Sequence, residues 1–183
     1  MSTTEIAPVP TGTWSVDPVH SSVGFEVKLL GVSSYRASFG DVAGRVVFEE
    51  GVVKAIDGSV RVESLRTESP ELSRRLFGDE FFDAAAHPEI QFVATGIEHD
   101  GPDRLRVAGD LAMRGIINPL TLDALVDSVR VDPIGTERVG VRARGTVDRA
   151  AYGMTWNIPA VDGAPTLADQ VEIILHVEAI RSA

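Results

Sequence analysis

The sequence contains no cysteine. This absence excludes disulfide bonds, thiolate nucleophiles, iron–sulfur clusters and the usual cysteine-ligated zinc sites. The four histidines, His20, His87, His99 and His176, do not have the spacing of metal-binding motifs such as His-x-His or His-Glu-x-x-His. We therefore expect no metal site, and no cofactor other than a bound organic molecule.

Long apolar runs are also absent. No uninterrupted stretch approaches the roughly 20 apolar residues that a membrane-spanning helix needs. Residues 1–12 contain Glu5 and two prolines, and they show neither the positive start nor the apolar core of a secretory signal. We expect a flexible leader over residues 1–12, one domain over residues 13–183 and, because no export signal is visible, a cytoplasmic location.

Positive charge is scarce. Lysine and arginine total 17 against 27 acidic residues, which gives a formal charge of −10 and a pI near 4.8. Affinity for phosphate backbones and for anionic membrane surfaces normally comes from clustered lysine and arginine. The composition therefore excludes nucleic acid as a partner.

Helix-forming stretches rich in alanine, leucine, glutamate and lysine are missing, and the apolar residues instead alternate with period two. Val23, Phe25 and Val27, for example, alternate with Gly24 and Glu26, so one face of that strand is apolar. Eight runs of this kind cover residues 23–29, 42–48, 60–62, 90–94, 105–113, 120–126, 139–147 and 171–179. Eight half-buried strands are enough for an antiparallel sheet to close into a barrel whose interior admits one ligand.

One segment, near residues 70–82, predicts a short helix. Ser69 is a good N-cap, Pro70 suits the first turn, and Gly78 follows the last apolar residue. Phe81 and Phe82 come directly afterwards. We expect this helix and its aromatic tail to lie as a lid over one mouth of the barrel.

Asp17, His20 and Ser21 are the nearest approach to a catalytic arrangement, since such residues can form a relay that activates a hydroxyl. Adjacent side chains on an extended segment, however, point to opposite faces. The alternative is structural: Asp17 and Ser21 satisfy backbone groups in a turn before the first strand, while His20 bonds locally.

Four arginines, Arg114, Arg142, Arg144 and Arg149, are candidates to bind an anionic head group, because a guanidinium forms paired bonds to phosphate or carboxylate. Strand arginines that face outward are more often solvated or paired with acids. Arg149 is the strongest candidate, since it lies close in sequence to Tyr152 and Trp156.

Several small residues occupy strand positions where a larger side chain would fill the interior. Gly24, Gly44, Gly109 and Gly145 interrupt strand patterns, where glycine usually marks a bend or a close approach. We expect a partly empty lumen with ligand contacts from Phe25, Val27, Val46, Phe48, Phe81, Phe92, Val107, Leu111, Val141, Arg149, Trp156 and Ile173.

Five motifs occur in a characteristic order: Trp14–Ser21, Phe39–Phe48, Glu80–Phe92, Gly109–Gly115 and Arg149–Gly153. Together, from about Gly12 to Ala179, they resemble the YceI-like family. The resemblance implies a lipocalin-like barrel that holds a polyisoprenoid or a similar long-chain amphiphile, a homodimer, and a binding protein with no catalytic site.

Three hypotheses follow. The leading one is a non-catalytic carrier of an isoprenoid, quinone or fatty-acid-like molecule held in the lumen. The second is a hydrolase or isomerase that acts on such an amphiphile through His20. The third is a filled barrel that serves as an interaction or assembly module without a small ligand.

Overall fold

The computed structural model describes residues 9–182, and almost all of its regular structure is antiparallel strand. The strand segments are β1 (Gly12–Val16), β2 (Ser22–Leu29), β3 (Ser33–Phe39), β4 (Val42–Glu49), β5 (Val52–Arg61), β6 (Leu65–Arg66), β7 (Glu89–His99), β8 (Arg104–Met113), β9 (Ile116–Val126), β10 (Arg130–Val131), β11 (Glu137–Asp148) and β12 (Leu167–Arg181). One α-helix, α1 (Pro70–Phe77), and two 3-10 turns, Val62–Ser64 and Arg149–Tyr152, complete the described elements. Within residues 9–182, neither helix type combines the length and the apolar character that crossing a bilayer demands.

Three pairs of segments act as long bent strands. The first bent strand consists of β1 and β2, which both pair antiparallel with β12. The second consists of β3 and β4, which pair with β2 and β1, respectively. The third consists of β5 and β6, which pair with β4 and β3, respectively. These three bent strands, with β7, β8, β9, β11 and β12, form a ring of eight strands over the described residues. The ring closes because β12 pairs with β11 on one side and with β1 and β2 on the other. The predicted eight-stranded antiparallel barrel is confirmed.

The predicted runs fall on separate strands of the ring, β2, β4, β5, β7, β8, β9, β11 and β12. The run 60–62 extends past the end of β5, since Val62 begins the 3-10 turn. β1, β3, β6 and β10 lie outside the predicted runs. β3 reads Ser-Ser-Tyr-Arg-Ala-Ser-Phe, and its small and polar residues give only a weak strand pattern. Its position is set by pairing with β2 along seven residues, which only the folded chain provides.

The helix begins where the sequence predicts. Ser69 Oγ accepts a hydrogen bond from the Leu72 N–H at 3.1 Å, and Pro70 occupies the first turn. The helix ends at Phe77, because the chain turns at Gly78, whose N–H bonds the Arg75 carbonyl. Phe81 and Phe82 lie beyond the helix and are buried.

The chain from Val9 to Gly12 lies against the barrel. Val9 is buried, and the Trp14 Nε1–H donates to the Pro10 carbonyl at 3.3 Å. The predicted leader falls mostly on residues 1–8, which lie outside the described part of the chain. The boundary at residue 12 stays a prediction.

Inside the barrel, the Phe92 ring occupies the space that a side chain at Gly109 would need. A Cβ atom at this position would meet Phe92 Cζ at 2.4 Å and the Val93 carbonyl oxygen at 2.5 Å. The Phe92 ring therefore lies directly over the glycine. The room that the sequence suggested would stay empty at Gly109 is filled by this ring.

Replacing Gly109 with alanine should lower the free energy of unfolding by about 1–3 kcal/mol, because neither the ring nor the backbone can move away cheaply. Gly96→Ala is the matched control on neighbouring β7, since its Cβ would meet only Ala108 Cβ at 4.0 Å. We expect this control to lie within about 0.5 kcal/mol of the parent in urea denaturation. An equal decrease in the free energy of unfolding for the two variants would contradict the close contact between Gly109 and the Phe92 ring.

Candidate functional site

Two adjoining cavities lie inside the barrel. The larger, of about 410 Å³, is at the end covered by α1, and the smaller, of about 150 Å³, continues toward the other end. The larger one falls within the range of about 300–1,000 Å³ that is common for small-molecule sites. The residues that line both cavities, and so form the waist between them, are Val23, Val60, Ile90, Leu111, Leu120 and Ile173.

The cavity walls follow directly from the alternation of the strands. β8 is the clearest case, because Leu105, Val107, Leu111 and Met113 are buried while Arg106 and Asp110 are exposed. Closing the sheet turns all such apolar faces inward. The lumen is therefore apolar along its length, with charged side chains only at its margins.

Eleven of the twelve predicted ligand-contact residues line a cavity. The smaller cavity is lined by Val46, Phe92, Val107 and Val141, the larger by Phe25, Val27, Phe81, Arg149 and Trp156, and both by Leu111 and Ile173.

Phe48 is the one predicted ligand-contact residue that lines neither cavity. It packs edge-on against Trp14, with ring centroids 6.0 Å apart, and both side chains are fully buried. The alternation of β4 does extend to Phe48, since Val46 and Phe48 are both buried. Phe48 lines no cavity because its ring packs against Trp14 of the neighbouring strand β1.

Sequence reasoning missed two groups of lining residues. Val23 and Ile90 each lie two positions before a predicted ligand-contact residue, Phe25 and Phe92, so the same alternation could have identified them. Leu72, Arg75 and Leu76 of α1 also line the larger cavity. Their contribution depends on where the helix docks, which no local pattern indicates.

The mouth of the larger cavity is built from aromatic and cationic side chains. The Trp156 and Phe81 rings lie 5.6 Å apart, and the Arg75 guanidinium lies 4.2 Å above the Trp156 ring. Arg75 is half exposed and has one acidic neighbour, the Glu80 carboxylate, at 3.7 Å. A cation held on an aromatic face at the rim of an apolar cavity suits the charged end of an amphiphile.

Arg149, the predicted head-group partner, is used differently. It is only 5% exposed. Its guanidinium donates to the backbone carbonyls of Met154 at 2.6 Å, Trp156 at 2.9 Å and Ala168 at 2.9 Å, and it lies 3.2 Å from the Asp169 carboxylate. Arg149 therefore fastens the Met154–Trp156 segment to the start of β12, and its donors are taken by the chain itself.

The exposed arginines of β11 also have partners. Arg142 contacts Asp127 at 3.0 Å, and Arg144 contacts Glu172 at 2.5 Å. Arg114 donates to the carbonyls of Asp79 and Phe81, beneath the lid. Two arginines line the larger cavity, and the donors of Arg149 are used by the chain, which leaves Arg75 as the cation at its mouth.

Tyr35 contributes a polar group to the apolar wall. Its ring lines the larger cavity, and its hydroxyl is the one buried side-chain polar atom without a hydrogen-bond partner among residues 9–182. Burial raises the pKa of this phenol above its usual value, and the nearby charge of Glu68 raises it further. The hydroxyl therefore stays protonated and keeps its capacity to donate.

Asp17, His20 and Ser21 come together without forming a relay. His20 Nδ1 lies 2.8 Å from Asp17 Oδ2, but the Ser21 hydroxyl donates to the Glu178 carbonyl at 3.2 Å and accepts the Glu178 N–H at 3.0 Å. Ser21 thus replaces a strand hydrogen bond at the break between β1 and β2. Among the described residues, no hydrogen bond joins His20 to Ser21, and the geometry matches the structural alternative.

Arg138 lies against the same group of residues. Its Nη1 atom is 2.9 Å from Asp17 Oδ2 and 2.5 Å from Glu178 Oε1, and its Nε atom is 2.8 Å from Asp132 Oδ2. Asp17, His20 and Glu178 offer three potential ligand atoms within 4.8 Å of one another. The Arg138 guanidinium already donates hydrogen bonds to both carboxylates of this set, so these oxygens have a cationic partner and the donor set does not favour a metal ion.

The Asp17 carboxylate should make stability depend on pH. Its hydrogen bond with His20, aided by Arg138, lowers its pKa from 3.8 to about 2. The stabilisation is therefore complete above the unfolded-state pKa near 3.9 and is lost as the pH falls through about 2. Asp17→Asn should cost about 1–2 kcal/mol at pH 7 in urea denaturation, with the difference from the parent shrinking between pH 4 and pH 2.

Asp110→Asn is the control for this experiment, because Asp110 is exposed on β8 and takes part in none of the ion pairs found in residues 9–182. Its effect should be small at every pH. A loss at Asp17 that stayed constant from pH 7 to pH 2.5 would rule out the lowered pKa as the cause.

Comparison with known proteins agrees with this architecture. The model of the YceI-like domain matches residues 14–179. A UPF0312 protein of Pectobacterium atrosepticum is 31% identical over 164 residues, which cover 88% of this chain and 82% of the relative. Protein YceI of Salmonella arizonae is 28% identical over 165 residues, with the same coverage.

Solved structures show the same fold. Burkholderia cenocepacia BcnA superposes with a TM-score of 0.75 at 20% identity, covering 89% of this chain and 98% of BcnA. A polyisoprenoid binding domain from Saccharophagus degradans, implicated in plant cell wall breakdown, gives a TM-score of 0.67 at 14% identity, covering 94% and 100%. The family that the order of sequence motifs indicated is confirmed, and the chain belongs to the YceI-like domain family.

Proposed function

We propose that this protein binds a long-chain isoprenoid, or an amphiphile of similar shape, inside the barrel and carries it without changing it chemically. The observation that carries the proposal is the pair of adjoining apolar cavities under the α1 lid. The polyisoprenoid-binding description of the structurally similar Saccharophagus degradans domain supports the same ligand class.

Binding in such a lumen needs few polar contacts. Each methylene group that leaves water contributes up to about 0.8 kcal/mol, so affinity should rise with the length of the buried chain. The waist residues Leu111 and Ile173 contact both cavities, and a long tail can pass between them from the larger to the smaller space. Short chains would occupy the larger cavity alone.

The ligand should enter with its polar end outward. Arg75 and Trp156 lie at the mouth, whereas the smaller cavity is lined mainly by valine, leucine and isoleucine side chains. An anionic group, such as a phosphate or carboxylate, would pair with the Arg75 guanidinium while the tail lies in the lumen. Arg149 acts indirectly, by holding Trp156 in place.

The non-catalytic part of the proposal rests on the position of the Asp17 group. None of Asp17, His20 and Ser21 lines either cavity. A ligand held in the lumen would therefore not meet the residues with the most suggestive chemistry. Turnover of candidate esters or pyrophosphates that disappears in His20→Ala would support a hydrolase instead.

Blocking the waist should shorten the chain that the protein accepts. Ile173→Trp places a larger side chain between the two cavities, and we expect the affinity for long polyprenols to fall at least tenfold while short ones still bind. Val93→Trp is the matched control, because Val93 is exposed on the outer face of β7. Isothermal titration with detergent-solubilised polyprenols of increasing length measures both variants.

Equal binding of every chain length by Ile173→Trp would contradict the continuous tunnel. A protein that yields no lipid on organic extraction from its own cells, and that binds no polyprenol, would instead favour a ligand-free interaction module. Mass identification of any extracted lipid names the ligand directly.

Arg75→Ala should weaken the binding of a polyprenyl phosphate about tenfold and leave the matching uncharged alcohol unaffected, because only the phosphate uses the guanidinium. Arg74→Ala is the control, since Arg74 is the adjacent exposed arginine on α1 and does not line the cavity. Equal losses for phosphate and alcohol would show that Arg75 only supports the lid.

A further inference from the structure

Two loops lie side by side at the mouth of the larger cavity. The β2–β3 turn, residues 30–32, follows Leu29, and the loop of residues 157–166 precedes Leu167. Leu29 and Leu167 are paired across β2 and β12, and both line the larger cavity. The Leu30 N–H donates to the Thr166 carbonyl at 2.8 Å, which joins the two loops. We call residues 30–32 and 157–166 together the apolar collar.

The collar exposes large apolar side chains. Val32 is 85% exposed, Leu30 53% and Ile158 54%, and Val161 is fully exposed. Charged residues make up 24% of the whole chain, so about three of these thirteen positions would be charged on average. Asp162 is the single charged residue among them. Apolar surface concentrated in this way marks a contact with a membrane or another molecule.

The collar is ordered by its own hydrogen bonds. The Asn157 side chain donates to the Leu167 carbonyl at 2.7 Å and accepts the Leu167 N–H at 3.0 Å. The Ala160 N–H donates to the Ala164 carbonyl at 2.7 Å, which closes a tight turn and places Val161 at its tip. The exposed side chains are therefore held outward by a defined backbone.

Leu30 occupies a backbone position that leucine disfavours. Leu30 and Gly31 have φ values of +53° and +71°, and the Val32 N–H bonds the Leu29 carbonyl at 3.1 Å. Turns with two positive φ values favour asparagine or aspartate before glycine. The chain therefore combines a strained backbone with an exposed apolar side chain at Leu30.

Two other hairpins repeat this turn with polar residues. Glu50 precedes Gly51 between β4 and β5, with φ values of +52° and +79°, and Arg114 precedes Gly115 between β8 and β9, with +54° and +72°. Leucine is thus not what the turn itself requires. The apolar side chain at Leu30 has to be explained by something that contacts it.

We propose that the apolar collar inserts into the surface of a zwitterionic lipid bilayer and seats the mouth of the barrel on the membrane. The net charge of −10 and Asp162 oppose binding to anionic lipids, whereas the uncharged remainder of the collar matches the apolar interior of a bilayer. The collar is continuous with the cavity wall through Leu29 and Leu167. A ligand chain could then pass between bilayer and lumen without crossing water.

The transfer of a ligand between bilayer and lumen rests on the proposed carrier function, whereas membrane binding itself depends only on the apolar collar. Flotation with phosphatidylcholine vesicles tests it. We expect the parent protein to float with the vesicles, and Leu30→Asn to reduce the vesicle affinity about tenfold through the loss of one inserted leucine. The melting temperature of Leu30→Asn should be unchanged or higher, because asparagine suits the turn. Val161→Ser, at a tip that packs against nothing, should reduce affinity in the same direction.

Ile134→Asn is the matched control. Ile134 is 86% exposed in the turn before β11, at the end of the barrel opposite the collar, since β11 begins next to the last residues of β12. Its loss should leave vesicle binding unchanged. An effect as large as that of Leu30→Asn would overturn the proposal by showing non-specific adsorption.

Two further results would also overturn it. One is failure of the parent protein to bind phosphatidylcholine vesicles. The other is sedimentation of the parent protein as a dimer that Leu30→Asn converts to monomer without any vesicle binding, which would assign the collar to a second copy of the chain.

Failure of the carrier function remains distinguishable from failure of membrane docking. Leu30→Asn should bind detergent-solubilised polyprenol as the parent does, while its rate of lipid uptake from vesicles falls. Vesicle binding by a protein that takes up no polyprenol would support membrane docking by the apolar collar and contradict the carrier function. Polyprenol binding without vesicle binding would support the carrier function and contradict membrane docking by the apolar collar.

Discussion

The closure of the sheet by β12 is the constraint on which the rest of the structure depends. β12 spans fifteen residues and is paired on both sides, with β11 along most of its length and with β1 and β2 across the ring. Because its backbone groups are used on both sides, the ring has no open edge at this seam. The apolar faces of all eight strands then enclose one lumen.

The cavity volume in this lumen depends on the size of the strand ring and on the size of the side chains that point into it. An eight-stranded ring has an interior that side chains can nearly fill. Near Gly109 the Phe92 ring occupies the space, whereas the side chains around the larger cavity, which include six aromatic rings as well as valines and leucines, leave a gap. The α1 lid and Phe81 cover that gap and do not fill it. The apolar faces that the strands turn inward therefore enclose a cavity as well as a packed core.

Polar interactions in this protein hold segments in place at the margins of the barrel. Arg149 ties the segment from Met154 to Trp156 to β12 at one end, and Arg138 joins Asp17, Asp132 and Glu178 beside the break between β1 and β2. Both guanidinium groups are enclosed by oxygen atoms of the chain, which makes them structural. Arg75 differs because it lies on an aromatic ring at the rim and stays half exposed.

The sequence by itself determined the eight strands, the start of the helix and most of the cavity wall, because these follow from local periodicity and from capping residues such as Ser69. It did not determine the packing of Phe48 against Trp14 of β1, or the role of Arg149, whose partners come from β12 and the preceding loop. Only the tertiary structure brought Arg75 to the mouth and joined the loops of Leu30 and Ile158 into one surface. Such contacts connect residues far apart in the chain, and their geometry depends on ring closure, which no local pattern encodes.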